Sequence, residues 1–286
     1  MSTYPTCLYQ ELIKYGTQPT GNVEWDRGVL AVMKSEERNK EPWEILHKVA
    51  VRVQSDYDKQ QSSLPDMEDE ETYNAHARFF LFVANHVLAP QRRKFVIDDD
   101  NRQVIRFLML YFNGSRLCED VFPDRGYKLH KNILLQGGVG VGKTMLMQIF
   151  SEYLKRIDSP RQFHNVSVTQ MVNYYSVHND IDGFLYNTKG SRGFQGSPIN
   201  LCLNDIGVDN RPFYGIETDT IIHDFLHARN EIWSNCGEYD RKFAHLTTNL
   251  NDEKLKAKFG QKDSYGRILD RFKTYNVIPM TGESRR

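Results

Sequence analysis

Apolar positions along the chain change their spacing near residue 116. Beyond it, short apolar runs alternate with longer stretches in which apolar residues recur at helical spacing. Asn132-Ile133-Leu134-Leu135-Gln136 reads as a buried strand, and Met145 onward continues as a helix to about Arg156. Gln162 to Val168 reads as a strand, with Thr169 capping a helix through Val177. Pro198 to Gly207 contains a strand, Thr218 to Ser234 a helix, and Phe243 to Asn249 a further strand. Strands alternating with helices predict a parallel sheet wound by right-handed crossovers, an α/β fold with helices on the sheet's faces. Functional groups then collect at the carboxyl ends of the strands.

Before residue 116 the pattern is mostly helical. Trp43, Ile45, Leu46, Val49, Ala50 and Val53 share one face behind Pro42, and Phe79 to Leu88 repeats the pattern in a helix over Thr72 to Ala89. Asp98-Asp99-Asp100 reads as the acidic start of a helix over Val104 to Phe112, which stops at Asn113-Gly114. Ser55 to Glu71 is polar and acidic, a linker or exposed loop. The expected division is a helical N-terminal region over 1–115, suited to partner binding, and a second domain over 116–286.

Composition changes this picture little. The chain has 286 residues, 40% hydrophobic and 26% charged, with a formal net charge of +0, so no overall field marks it for nucleic acid or an acidic membrane. Local basic clusters remain. Gln91-Arg92-Arg93-Lys94 is either a nucleic-acid contact or a solvated helix end, and Lys189-Gly190-Ser191-Arg192-Gly193 either grips a strand or is a plain loop. Cys7, Cys118, Cys202 and Cys236 lack zinc or redox spacing, which suggests free thiols in a reducing compartment. No apolar run reaches membrane-spanning length and no signal pattern opens the chain, so a cytoplasmic location is expected. Trp25 and Trp43 are core residues or partner anchors.

One motif dominates the chemistry. Gly137-Gly138-Val139-Gly140-Val141-Gly142-Lys143-Thr144 follows the first strand and opens a helix. This is the context a phosphate-binding loop requires: glycines let backbone N–H groups turn inward, and the helix N-terminus adds partial positive charge. Lys143 is expected at the β- and γ-phosphates of ATP, and the Thr144 hydroxyl at Mg²⁺. The strand Leu201-Cys202-Leu203-Asn204-Asp205 ends in a carboxylate, which such a site uses to hold hydrated Mg²⁺ or to activate water.

The order of motifs resembles the DnaC/IstB branch of the AAA+ ATPases, bacterial helicase loaders and transposase helpers. The residues that carry it are Gly137 to Thr144, Leu201 to Gly207, Leu246-Thr247-Thr248-Asn249-Leu250, Tyr265-Gly266-Arg267-Ile268-Leu269-Asp270-Arg271-Phe272 and Thr281-Gly282-Glu283-Ser284-Arg285-Arg286. The resemblance covers about 115–286 and implies an AAA+ core without the usual C-terminal helical lid. It implies that Asn204 and Asp205 stand at the acidic pair serving metal and water. Asn249 then acts as the sensor that orients water, Arg271 as a finger reaching a neighbouring subunit with Arg267 supporting it, and Arg285 or Arg286 as a phosphate sensor. Where the family has two acids, this chain has Asn204 before Asp205. In a competing register Asp205 is the metal ligand and the base comes from Asp209 or Glu217.

Two functions follow as expectations. The first is an ATPase that loads or remodels a replicative helicase, or assists a transposase, as an ATP-dependent homo-oligomer near single-stranded or duplex DNA. The second is a nucleotide-gated adaptor with little hydrolysis.

Overall fold

A computed structural model describes residues 5–14, 18–34, 48, 51, 55, 64–187, 197–208, 212–213, 216–236, 241–260 and 267–285. Trp43 and its helix face, the 189–193 loop, Asp209, Tyr265, Gly266 and Arg286 lie outside them. The chain divides into two compact units, Met1–Asp58 with Arg192–Phe194, and Lys59–Ser191 with Gln195–Arg286.

In the first unit, helices α1 (Thr6–Lys14) and α2 (Val23–Lys34) bury Leu8, Leu12 and Leu30 against one another. The carboxylate of Asp26, 1% exposed, accepts bonds from the backbone N–H groups of Thr20 and Gly21 and from the Thr20 hydroxyl, fixing the turn into α2. Trp25 is 45% exposed and so is not a core residue.

The second unit begins with α3 (Glu70–Leu88) and α4 (Arg102–Phe112). Next come β1 (Asn132–Gly137), α5 (Lys143–Arg156), β2 (His164–Ser167), α6 (Val168–His178) and β3 (Leu201–Asn204). The last elements are α7 (Thr218–Asn235), β4 (Ala244–Thr248), α8 (Asp252–Gly260), α9 (Arg267–Arg271) and β5 (Tyr275–Met280). The five strands form one sheet in the order β2-β3-β4-β1-β5, every neighbouring pair parallel. This is the expected α/β architecture. Ser167, rather than Thr169, caps α6, through a capping box with Gln170.

Strand alternation sends β1 into two cores. Ile133 and Leu135 pack with α3, α4 and α5 through Phe80, Leu108, Phe112, Leu146 and Phe150. Leu134 faces the other way, into Met171, Ile221, Ile222 and Phe225 of α6 and α7. Burial on both faces is why this strand reads as a continuous apolar run.

Helices α3 and α4 therefore belong to the unit that carries the glycine loop, although their helical pattern places them before the division expected at residue 115. The Phe80 ring packs 4.6 Å from that of Phe150 on α5, His76 Nδ1 bonds the Tyr153 hydroxyl at 2.6 Å, and Asn113 Nδ2 donates to the same hydroxyl at 3.1 Å. These contacts fix α5, and α5 begins at the loop. No helix among the described residues is long and apolar enough to cross a membrane.

Candidate functional site

The glycine loop leaves the carboxyl end of β1 and turns into α5 through two left-handed residues, Gly140 (φ 89°) and Gly142 (φ 99°). Gly142 is the N-cap of α5, and a side chain there would be strained. A Cβ on Gly140 would also strike the Ser284 hydroxyl. The loop is thus a backbone-lined cradle at a helix N-terminus, which suits a phosphate. Lys143, 5% exposed, donates from Nζ to the carbonyls of Gly137 and Gly138, each at 2.7 Å. The ammonium is held inside the loop, where phosphate oxygens can replace those carbonyls.

A cleft of about 610 Å³ opens on this loop. Val139, Gly140, Val141, Gly142, Lys143 and Thr144 line it, together with Asp205 beyond β3, Asn249 beyond β4, and Arg285 from the tail. Three strand ends and the tail thus converge on one cavity, as the parallel topology predicts.

Asp205 adopts φ 63°, a left-handed conformation that Asp tolerates better than most residues. Its N–H donates to the Thr247 hydroxyl at 3.0 Å, and the Ile206 N–H to the Thr247 carbonyl at 3.0 Å. The turn is thereby tied to β4. Asn249 lies against Gly207 so closely that a Cβ there would strike its Oδ1.

Asn204 is placed differently from the expectation that it serves the metal. It is 2% exposed and is not among the residues lining the cleft. Its Nδ2 donates to Asn165 Oδ1 and to the Val166 carbonyl, the latter at 3.1 Å, and its Oδ1 accepts from the Thr247 hydroxyl at 3.2 Å. The amide is committed to the neighbouring strands. Asp205 is the one carboxylate among the described residues lining the cleft.

Thr144 and Asp205 bring a hydroxyl and a carboxylate to this cleft, oxygens of the kind that suit a hard cation. No group of three His, Cys, Asp or Glu side chains suited to a metal occurs among the described residues. Magnesium carried by a nucleotide's phosphates needs only one or two protein oxygens, so the residues fit that ion and not an all-protein cage.

Arg271 is half-buried at the end of α9, Arg267 is exposed at its start, and neither lines the cleft. Glu217 is exposed at the N-cap of α7, also away from the lining.

One wall was not anticipated from the sequence. Leu88, Gln91, Arg93, Lys94, Phe95 and Val96, at and beyond the end of α3, line the cleft with Asn101 and Ile105 of the α4 start. The basic cluster after α3 therefore faces the glycine loop. Its local signal was that of a nucleic-acid contact or a solvated helix end, because the packing that turns it to the cleft is distant in sequence.

No family model matches the sequence, and no curated protein matches it significantly. Among solved structures the chain is similar to domain III of the replication initiation protein DnaA of Thermotoga maritima, at 18% identity over 65% of each chain and a TM-score of 0.41. It is similar to the DnaC helicase loader, at 15% identity over 65% of this chain and 93% of that one, TM-score 0.41. It is also similar to AMPPCP-bound DnaA of Aquifex aeolicus, at 17% identity over 66% of this chain and 49% of that one, TM-score 0.38. The match thus spans 65% of the Thermotoga domain and about half of the Aquifex protein. The chemistry assigned to this cleft comes from its own residues.

Proposed function

We propose that this chain is an ATP-binding and ATP-hydrolysing AAA+ protein of the DnaC/IstB kind, which loads or remodels a replicative DNA helicase. The observation that carries the reading is the convergence of the glycine loop, Asp205, Asn249 and Arg285 on one cleft. Lys143 would exchange the Gly137 and Gly138 carbonyls for β- and γ-phosphate oxygens. Thr144 and Asp205 would hold Mg²⁺, which neutralises charge developing on the phosphates when bound. Asn249 would orient the attacking water, and Arg285 would face the phosphates from the tail. Arg271, away from its own cleft, suits a finger offered to a second copy in an ATP-dependent homo-oligomer.

A second reading is a nucleotide-gated adaptor that turns over slowly. The observation favouring it is that Asn204 is committed between strands, leaving Asp205 as the single cleft carboxylate among the described residues for both metal and water. This arrangement supports the register in which Asp205 serves the metal.

Hydrolysis and ATP affinity of the full chain and its Lys143→Ala variant test the core claim. The variant should bind ATP about tenfold or more weakly, since it loses a charge-assisted contact. Equal affinity by calorimetry rejects the phosphate-loop assignment. For the partner, the full chain should serve as bait with and without ATP, because residues 59–115 share the core of the loop unit. Recovery of a replicative helicase supports the loader, and recovery of a transposase supports a helper ATPase of a mobile element, the alternative that the sequence resemblance leaves open. DNA binding is read in the same preparation from its salt dependence.

A further inference from the structure

The tail that brings Arg285 to the cleft is anchored twice. The Arg285 backbone N–H donates to the Gly140 carbonyl at 2.9 Å, so the tail runs beside the glycine loop itself. Its guanidinium forks onto Asp98, Nη1 to Oδ2 at 2.6 Å and Nη2 to Oδ1 at 2.9 Å. A guanidinium carries five N–H donors, and this fork engages only two of them.

Asp98 is itself immobilised. Its N–H donates to Asn101 Oδ1 at 3.1 Å, its Oδ1 accepts from the Asn101 N–H at 3.2 Å, and its carbonyl accepts from the Arg102 N–H at 2.9 Å. Asn101 is 5% exposed, donates from Nδ2 to the Val96 carbonyl at 2.9 Å, and lines the cleft. The turn that leads into α4 therefore presents one rigid carboxylate to the tail. A planar fork fixes both the place and the plane of a guanidinium, which a single bond does not.

We propose that Asp98 is a positioning residue for the nucleotide cleft. It holds the Arg285 guanidinium in a fixed plane beside Gly140, with its remaining donors available to a phosphate. The inference rests on the nucleotide reading above and extends it to a residue outside the lining. The Asp98 carboxylate is held below the usual carboxylate range by its bonds to Arg285, and the guanidinium is correspondingly raised, as a persistent pair requires.

The test uses the full chain and Mg²⁺–ATP in calorimetry, with nucleotide-free melting alongside. Asp98→Asn should weaken ATP binding several-fold, and Arg285→Ala about tenfold. The double variant should be no weaker than Arg285→Ala alone, because both changes remove one effect. Arg285→Lys keeps the charge and the backbone bond to Gly140 but loses the fork, so it should resemble Asp98→Asn. It also serves should Asp98→Asn fold poorly. Nucleotide-free melting should stay close to wild type in all four. If Asp98→Asn and Arg285→Lys bind ATP as wild type does, or more tightly, Asp98 does not position the arginine. Additive losses in the double variant overturn the proposal equally. If wild type binds no ATP and Lys143→Ala changes nothing, the nucleotide reading has failed and the positioning role fails with it. Intact Lys143-dependent binding with an indifferent Asp98 defeats this inference alone.

Discussion

Asn204 spends its amide on Asn165 and on the carbonyl of Val166, one residue short of the cleft that Asp205 enters. Asn204→Asp would set a carboxylate against these groups at a site 2% exposed. Asn165 can turn its amide to donate, but the Val166 carbonyl has no proton to offer. The substitution should cost on the order of 3 kcal/mol, seen as a lowered melting temperature, and should leave Mg²⁺ affinity unchanged. A variant of wild-type stability with tighter Mg²⁺ binding would contradict the placement.

Asp205→Asn removes the only carboxylate among the described residues lining the cleft. Hydrolysis should fall by about two orders of magnitude or more, and the Mg²⁺ dependence of ATP binding should flatten. ATP affinity in EDTA should stay as in wild type, since the glycine loop is untouched. Unchanged turnover would move the metal and the water to other groups.

His245 makes stability depend on pH. Its Nδ1 accepts the Ile133 N–H at 3.2 Å inside a cage formed by Tyr111, Phe112, Phe163 and Phe243. Burial first, then the nearby Arg229 and Arg161, push its pKa down to about 3. In the unfolded chain this imidazole titrates near its ordinary value, 6.5. Between these values only the unfolded state binds the proton, so stability is full above that range and falls as pH drops through it. From pH 6.5 to 4.5 the loss should be roughly 2 kcal/mol, measured by denaturant titration. His245→Phe should flatten the slope, leaving the part due to His76 and His130, whose values burial also lowers. An unaltered slope would place the titration elsewhere.

Arg271→Ala should depress hydrolysis while sparing ATP affinity, if the side chain serves a neighbour's cleft. Mixing it with Lys143→Ala should restore part of the activity, because some interfaces then pair an intact loop with an intact arginine. Arginine fingers contribute about 10³–10⁵ in rate in GTPases, and a smaller effect here would still be readable. No change in either arm removes Arg271 from the chemistry.

The glycine loop was legible in the sequence because its requirements are local. Positive φ at Gly140 and Gly142, a lysine and a hydroxyl at fixed spacing, and a strand before a helix all lie within a few residues. The strand ends at Asp205 and Asn249 were legible for the same reason, as apolar runs closing in polar residues. What escaped depends on contacts between distant residues. Asn204 lies in a strand whose alternation gives opposite faces to successive residues, but not which neighbours wait there. Arg93 and Lys94 look like a nucleic-acid contact or a solvated helix end until α3 packs on α5. Asp98 looks like part of an acidic helix start until the tail returns from Arg285. Strand β5 was missed because Pro279 interrupts its signal.

That proline also bears on how copies of this chain can meet. β5 is an edge of the sheet and among the described residues pairs with β1 alone, Gln136 standing opposite Pro279. A residue without an N–H interrupts the row of donors along the strand, and an interrupted row is a poor template for another chain's backbone. The opposite edge, β2, has only four residues. Both margins resist fusion of one sheet to the next, which would guard any assembly of copies against fibrous growth. Association of copies would then fall to side-chain surfaces rather than to backbone pairing.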